Sequence, residues 1–260
     1  MDNLQEITRL VCEIAREAGS YIKKERASFS VDKVERKHAH DYVSYVDKGS
    51  EQMVVKALRE LLPEAGFITE EGLATHTDEQ MLWVVDPLDG TTNFIHDFPP
   101  YAVSIALIRG KEILVGVVYE ICADECFCAW QGGGAFVNGE TIHVGKSEIN
   151  DALICLQYPY NSDAYKPVIK RLVERYYGHV GSIRSIGSAA IALCYVAAGR
   201  LDAYVERYIG QWDYMAGALI VMEAGGRVSN YAGDAYFMQG DSIVATNGIV
   251  HQDLLDGVKE

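Results

Sequence analysis

No apolar run in the 260-residue sequence is long enough to span a bilayer, and no charged segment followed by an apolar one opens it. A membrane helix and a secretory leader are therefore not expected, and the expected location is the cytoplasm. Cysteine is scarce: Cys12, Cys122, Cys126, Cys128, Cys155 and Cys194 mostly interrupt apolar runs and form no C-x-x-C pair. That pattern excludes a disulfide framework, which a chain of this length does not need, and predicts reduced core residues rather than metal ligands. Positive charge is also short, with 23 Lys and Arg against 37 Asp and Glu for a net charge of −14. Such a chain has no nucleic-acid footprint, and it repels a phosphorylated ligand unless bound cations reverse the local sign. No internal repeat, low-complexity tract or linker divides it. Gln131 to Gly139 is rich in glycine but lacks the strand-to-helix setting and G-x-G-x-x-G spacing of a dinucleotide loop, so it reads as a pair of turns.

Hydrophobic residues make up 49% of the chain, enough for a large core in a single domain over residues 1–260, with one half to residue 150 and a second from 151. Leu4, Ile7, Leu10, Val11, Ile14, Ala18 and Ile22 recur at helical spacing and predict an amphipathic helix over residues 4–25. Alternation from Lys33 to Asp47 predicts a strand or ribbon leading into a helix over 50–62. Asp47 falls near that helix start, where capping by itself accounts for it. His38 and His40 have no carboxylate or cysteine at ligand spacing and read as exposed loop residues. Residues 102–108 and 113–120 predict a hairpin, and 125–130 a further strand. The second half alternates strand and helix: strands at 153–157 and from 183, helices at 164–177 and up to 198. A strand over 201–207 carries Glu206. A helix over 214–224 follows, capped by Asp213 and closed by Gly225-Gly226, before strands at 227–230 and 242–246 and a last short helix.

The sequence is organised around Trp83 to Asn93. Trp83 to Val85 predicts a buried strand that delivers Asp86 at its carboxyl end, and Pro87 is expected to stop it. The turn lets Asp86, Asp89 and the Leu88 carbonyl face one point. These are hard oxygen donors, suited to Mg²⁺ or Mn²⁺ and not to zinc. Gly90-Thr91-Thr92 then offers N–H groups and hydroxyls where a phosphate is well received. By itself Asp-Pro-x-Asp-Gly is equally a good turn sequence. Glu70 and Glu71 end a short strand from Gly66, and they read as solvated charge unless they join Asp86.

Four stretches, in this order and at compatible spacing, resemble the inositol monophosphatase family of metal-dependent sugar phosphatases. They are Phe67 to Glu71, Asp86 to Phe94, Gly181 to Ala190, and Trp212 to Gly217 continuing to Gly226. The likeness spans nearly the whole chain. It implies an α+β or α/β fold, a layered α-β-α-β-α sandwich, and a homodimer. It also implies that Glu70, Asp86, the Leu88 carbonyl, Asp89 and Asp213 ligate two or three Mg²⁺ ions, with Mn²⁺ as substitute. Thr91 with Asp47, and Glu70 through its metal, would orient or deprotonate the attacking water. Phosphate would lie on Gly90, Thr91 and Thr92. Glu206, Asp213, Asp89 and the Ser188-Ala189 turn would meet a polyol. Lithium sensitivity is a further family expectation. Residues 36–40 depart from the lysine-containing loop of the animal enzymes, Leu88 replaces a more frequent isoleucine, and Asn230 stands where aspartate is common.

The expected function is Mg²⁺-dependent hydrolysis of inositol 1-phosphate. A carboxylate at Glu206 accepts hydrogen bonds from sugar hydroxyls and repels a second phosphate. Fructose-1,6-bisphosphatase, 3′-phosphoadenosine 5′-phosphate phosphatase and NADP phosphatase are alternatives on the same scaffold. A regulatory protein that binds transcription or ribosome-maturation machinery is an alternative of another class. No membrane or direct nucleic-acid partner is expected.

Overall fold

The computed structural model describes residues 4–30, 34–38, 41–73, 80–158, 162–235, 238 and 240–259, without the side chains of 35–38, 41, 42 and 162. Helix α1 (Leu4–Arg26) buries Val11, Ala18 and Ile22 of the predicted stripe together with Ala15, while Leu4, Ile7, Leu10 and Ile14 are half-buried. A two-stranded antiparallel ribbon follows, β1 (Val34–His38) with β2 (Asp41–Ser44). Helix α2 (Tyr45–Leu61) starts before the predicted residue 50 because Ser44 caps it, its hydroxyl accepting the Val46 N–H at 3.1 Å. Strands β3 (Gly66–Thr69) and β4 (Met81–Asp89) run parallel, and the short helix α3 (Thr91–Ile95) leaves the end of β4. Strands β5 (Ala102–Arg109), β6 (Glu112–Glu120), β7 (Glu125–Trp130), β8 (Gly134–Val137) and β9 (Glu140–Thr141) extend this into a seven-stranded sheet in chain order, antiparallel beyond β4.

The second half supplies β10 (Leu153–Leu156), α4 (Ser162–Tyr176), β11 (Ser182–Arg184), α5 (Ala189–Ala197), β12 (Ala203–Arg207) and α6 (Gln211–Glu223). It ends with β13 (Arg227–Ser229), β14 (Ser242–Thr246) and α7 (His251–Lys259). The strands order as β11-β10-β12-β14-β13, with β10 parallel to β11 and β12, and β14 antiparallel to both neighbours.

Burial on both faces of β4 explains the layering. Trp83 and Val85 enter the core beneath α1 and α2, while Val84 enters the core shared with α5 and α6. A strand apolar on both sides needs cover on both. Helices α5 and α6 are apolar all round because they lie between the two sheets. Helices α4 and α7 close the outer face of the five-stranded sheet through Leu172, Leu254 and Leu255. Close approach in the middle layer rests on Gly116: a Cβ there would stand 2.5 Å from the Ala216 carbonyl oxygen of α6.

Several expectations are corrected. Pro87 does not end β4. Asp86 pairs with Ser104 and Asp89 with Ala102, so Pro87 and Leu88 bulge opposite the single residue Val103. A residue without an N–H is accommodated where no ladder bond is required. The glycine-rich stretch holds strand β8 between its turns, paired with β7 from Phe127 to Trp130. Cys122 is exposed rather than in a core, and none of the six cysteines is in a disulfide. His38 belongs to β1 rather than a loop, its side chain lying outside the described residues with His40 and Lys33. Asp213 stands inside the first turn of α6 and not at its N-cap, which is Gly210. No described helix is long and apolar enough to cross a membrane.

Candidate active site

The bulge in β4 brings Asp86 and Asp89 to one end of the seven-stranded sheet. Leu88 N–H donates to Asp86 Oδ1 at 2.9 Å, and the Leu88 carbonyl shares the single Thr91 hydroxyl hydrogen with Asp47 Oδ1, each 3.0 Å from Oγ1. Gly90 turns the chain with φ +88°, a left-handed conformation that suits glycine, and a Cβ there would meet the Pro100 and Gly187 carbonyl oxygens at 3.1 and 3.3 Å. Asp213 reaches the same place from α6, where its Oδ2 accepts the Gly210 N–H at 2.7 Å. Among the described residues, one carboxylate oxygen each from Asp86, Asp89 and Asp213 lies within 4.8 Å of the others. Glu70 follows the last residue of β3, its N–H held by the Val85 carbonyl at 3.2 Å. It stands beside Asp86, whose carboxyl its charge pushes up.

Crowding and burial dominate the electrostatics. Burial, then the charges of Glu70 and Asp89, push the Asp86 and Asp213 carboxyls well above the usual carboxylate range. Burial raises Asp89 to about 6, against the Ser188 hydroxyl and the N–H groups of Ala189 and Ala190, which favour its charged form. Those N–H groups donate to Asp89 at 3.3 and 3.0 Å. Several acidic side chains therefore share a pocket with only oxygen donors. That donor set fits a hard divalent cation, which would hold all of them ionised.

Asp47 is fully buried. Its Oδ2 accepts from the Ser44 N–H at 2.8 Å and the Ser44 hydroxyl at 2.6 Å, closing a capping box on α2, and its Oδ1 accepts from Thr91 Oγ1 at 3.0 Å. Capping and orientation of Thr91 are thus two uses of one carboxylate. Burial pushes its pKa up, more than these hydrogen bonds pull it down.

A cavity of about 400 Å³ opens over this cluster. Of the predicted residues, Glu70, Asp86, Leu88, Asp89, Gly90, Thr91, Thr92, Ala189, Glu206 and Asp213 line it. Asp47 stands behind Thr91. Ser188 is buried beneath the wall as the N-cap of α5, donating to Asp89 and accepting the Ile191 N–H at 3.3 Å. Glu206 accepts from the Tyr204 hydroxyl, and burial pushes its carboxyl up to about 8. Asn93, Gly187, Gly210 and Trp212 line it too, as do Gln157, Tyr158, Tyr208 and Ile209, and sequence reasoning gave the last four no place in the site. They leave the ends of β10 and β12 in segments with no motif, so only the folded sheet brings them together. Asn93, also missed, donates to the Pro100 and Ile186 carbonyls, each at 2.8 Å, tying the two halves at the cavity floor. No Lys or Arg is among the described lining residues.

An α-β-α-β-α sandwich with an oxygen-only acidic cluster in a crevice is the build of a hydrolase of phosphate esters. The chain belongs to the inositol monophosphatase family, whose model matches residues 3–260, and it is a phosphatase. An inositol-1-monophosphatase of Mesorhizobium japonicum is 36% identical over 98% of this chain and 96% of its own. The Nus factor SuhB of Pseudomonas aeruginosa is 38% identical over 98% of this chain and 97% of its own. The crystal structure of the extragenic suppressor protein SuhB from Bartonella henselae superimposes with a TM-score of 0.92 at 33% identity, covering 98% of this chain and 99% of that one.

Proposed function

We propose that the protein hydrolyses phosphate monoesters of a neutral polyol, foremost inositol 1-phosphate, with Mg²⁺. One observation carries the substrate: a sugar-sized cavity runs from the acidic cluster to Glu206 and has no Lys or Arg among its described lining residues. A second phosphate would find no cationic partner among those residues. Glu70, Asp86, the Leu88 carbonyl, Asp89 and Asp213 would hold the cations. Bound divalent metal lowers the pKa of water and offsets charge on the phosphoryl oxygens. With its Oδ2 on Ser44, Asp47 holds the Thr91 hydroxyl through Oδ1, leaving that hydroxyl an acceptor for the hydrogen of an attacking water. Gly90, Thr91 and Thr92 would receive the phosphate, while Ala189 and Glu206 would meet the polyol. Ser188 would act indirectly by orienting Asp89. The cytoplasm is the proposed location and a homodimer the proposed assembly.

Phosphate release from inositol 1-phosphate, fructose 1,6-bisphosphate, 3′-phosphoadenosine 5′-phosphate and NADP, with Mg²⁺ and with chelator, tests this. Chelator-sensitive turnover strongest on inositol 1-phosphate is expected. Preference for a bisphosphate or nucleotide would overturn the substrate and keep the reaction. The similarity to proteins named Nus factor SuhB supports a second reading, a role in association with transcription machinery. Partner capture that survives Asp89→Asn would favour it.

A further inference from the structure

Glu51 is a fully buried carboxylate that the proposed chemistry leaves unused. It lies one turn beyond Asp47 on α2, on the same side of the helix. Its partners all belong to the end of β3 and the residues that follow. Oε1 accepts from the Thr69 hydroxyl and from the Leu73 N–H, each at 2.8 Å, and Oε2 accepts from the Glu71 N–H at 2.9 Å. Glu70 sits between the first and last of these anchors, and its own N–H is held from β4 by Val85. Ser50, next to Glu51, donates to the Pro87 carbonyl at 2.9 Å, inside the bulge between Asp86 and Asp89. One side of one helix therefore grips both strand ends that deliver the acidic side chains. Three donors converging on one carboxylate leave the backbone around Glu70 little freedom, since moving that segment away from α2 stretches these bonds.

We propose that Glu51 is a positioning residue that fixes Glu70 against Asp86 and so sets the cation affinity of the site. The inference rests on the reading of Glu70 as a metal ligand. Glu51→Gln keeps the shape but sets an NH₂ group against an N–H or hydroxyl donor, and Thr69→Val removes the hydroxyl that donates to Glu51 Oε1. The test measures Mg²⁺ binding by calorimetry, without substrate, for the full-length chain and these two variants, each alone and combined with Glu70→Gln. Thermal melting is followed in parallel.

Glu51→Gln is expected to weaken Mg²⁺ binding about tenfold, the usual scale for a residue that orients a ligand. Thr69→Val should weaken it less, and neither change should weaken it further once Glu70 is already Gln. A purely structural role would lower the melting temperature and leave Mg²⁺ affinity unchanged, or would weaken it equally with and without Glu70. Either result overturns the proposal. Wild-type affinity in Glu70→Gln alone would instead overturn the ligand reading, and the proposal with it.

Discussion

Glu206→Gln separates a charged from a neutral group in the cavity wall. Burial holds the Glu206 carboxyl at about 8, above its ordinary 4.5, with the charge of Asp89 adding and the Tyr204 hydroxyl opposing. At neutral pH without metal the group keeps its proton, and glutamine is its near-isostere. A raised folded pKa means that the stabilising effect is complete below the ordinary pKa and disappears as pH rises through about 8. Between about pH 6.5 and pH 9 the loss is about 2 kcal/mol. Urea unfolding in chelator at both pH values, for wild type and variant, measures it. The wild type should lose about 2 kcal/mol more than Glu206→Gln over that interval. Equal losses would refute a half-buried, protonated Glu206. The result also bears on substrate choice: a protonated Glu206 donates one hydrogen bond to a sugar hydroxyl and repels a second phosphate only weakly. The proposed preference against bisphosphates then rests on the lack of Lys and Arg among the described lining residues rather than on the Glu206 charge that the sequence suggests.

Asp89→Asn should retain the fold and lose most turnover. Relief of a buried charge and loss of an acceptor for the α5 N–H groups oppose each other at about 1–3 kcal/mol each, so circular dichroism should be unchanged while phosphate release falls. Gly116→Ala should destabilise the protein by about 1–3 kcal/mol, because its Cβ has no room beside the Ala216 carbonyl; a wild-type melting temperature would show that α6 can shift away.

Local pattern was enough for much of the fold. The stripe of α1, the β5–β6 hairpin and the strand–helix alternation of the second half each follow from periodicity, because each buries its face in the simplest way. Spacing brought Asp86 and Asp89 to one turn but left Asp213 as a helix cap; the family resemblance joined it to them, and the fold sets one carboxylate oxygen of each within 4.8 Å of the others. What failed depended on partners distant in sequence. Pro87 stays in β4 because the β5 register allows two residues opposite one. Ser188, expected against the polyol, turns beneath the wall because Asp89 on the other sheet draws its hydroxyl.

The sequence by itself determined the acidic donor set, its oxygen-only chemistry and the family resemblance, because these depend on residue type and order. Only the tertiary structure decided how those carboxylates behave. Packing two sheets around α5 and α6 buries Asp86 and Asp89, leaves Asp213 half-buried beside them, and raises their pKa values together. The same packing set Glu51 on the Glu70 segment and assembled the Gln157, Tyr158 and Tyr208 wall from strand ends that share no motif. Proton affinity and cavity shape are sums over neighbours, and the neighbours exist only once the chain is folded.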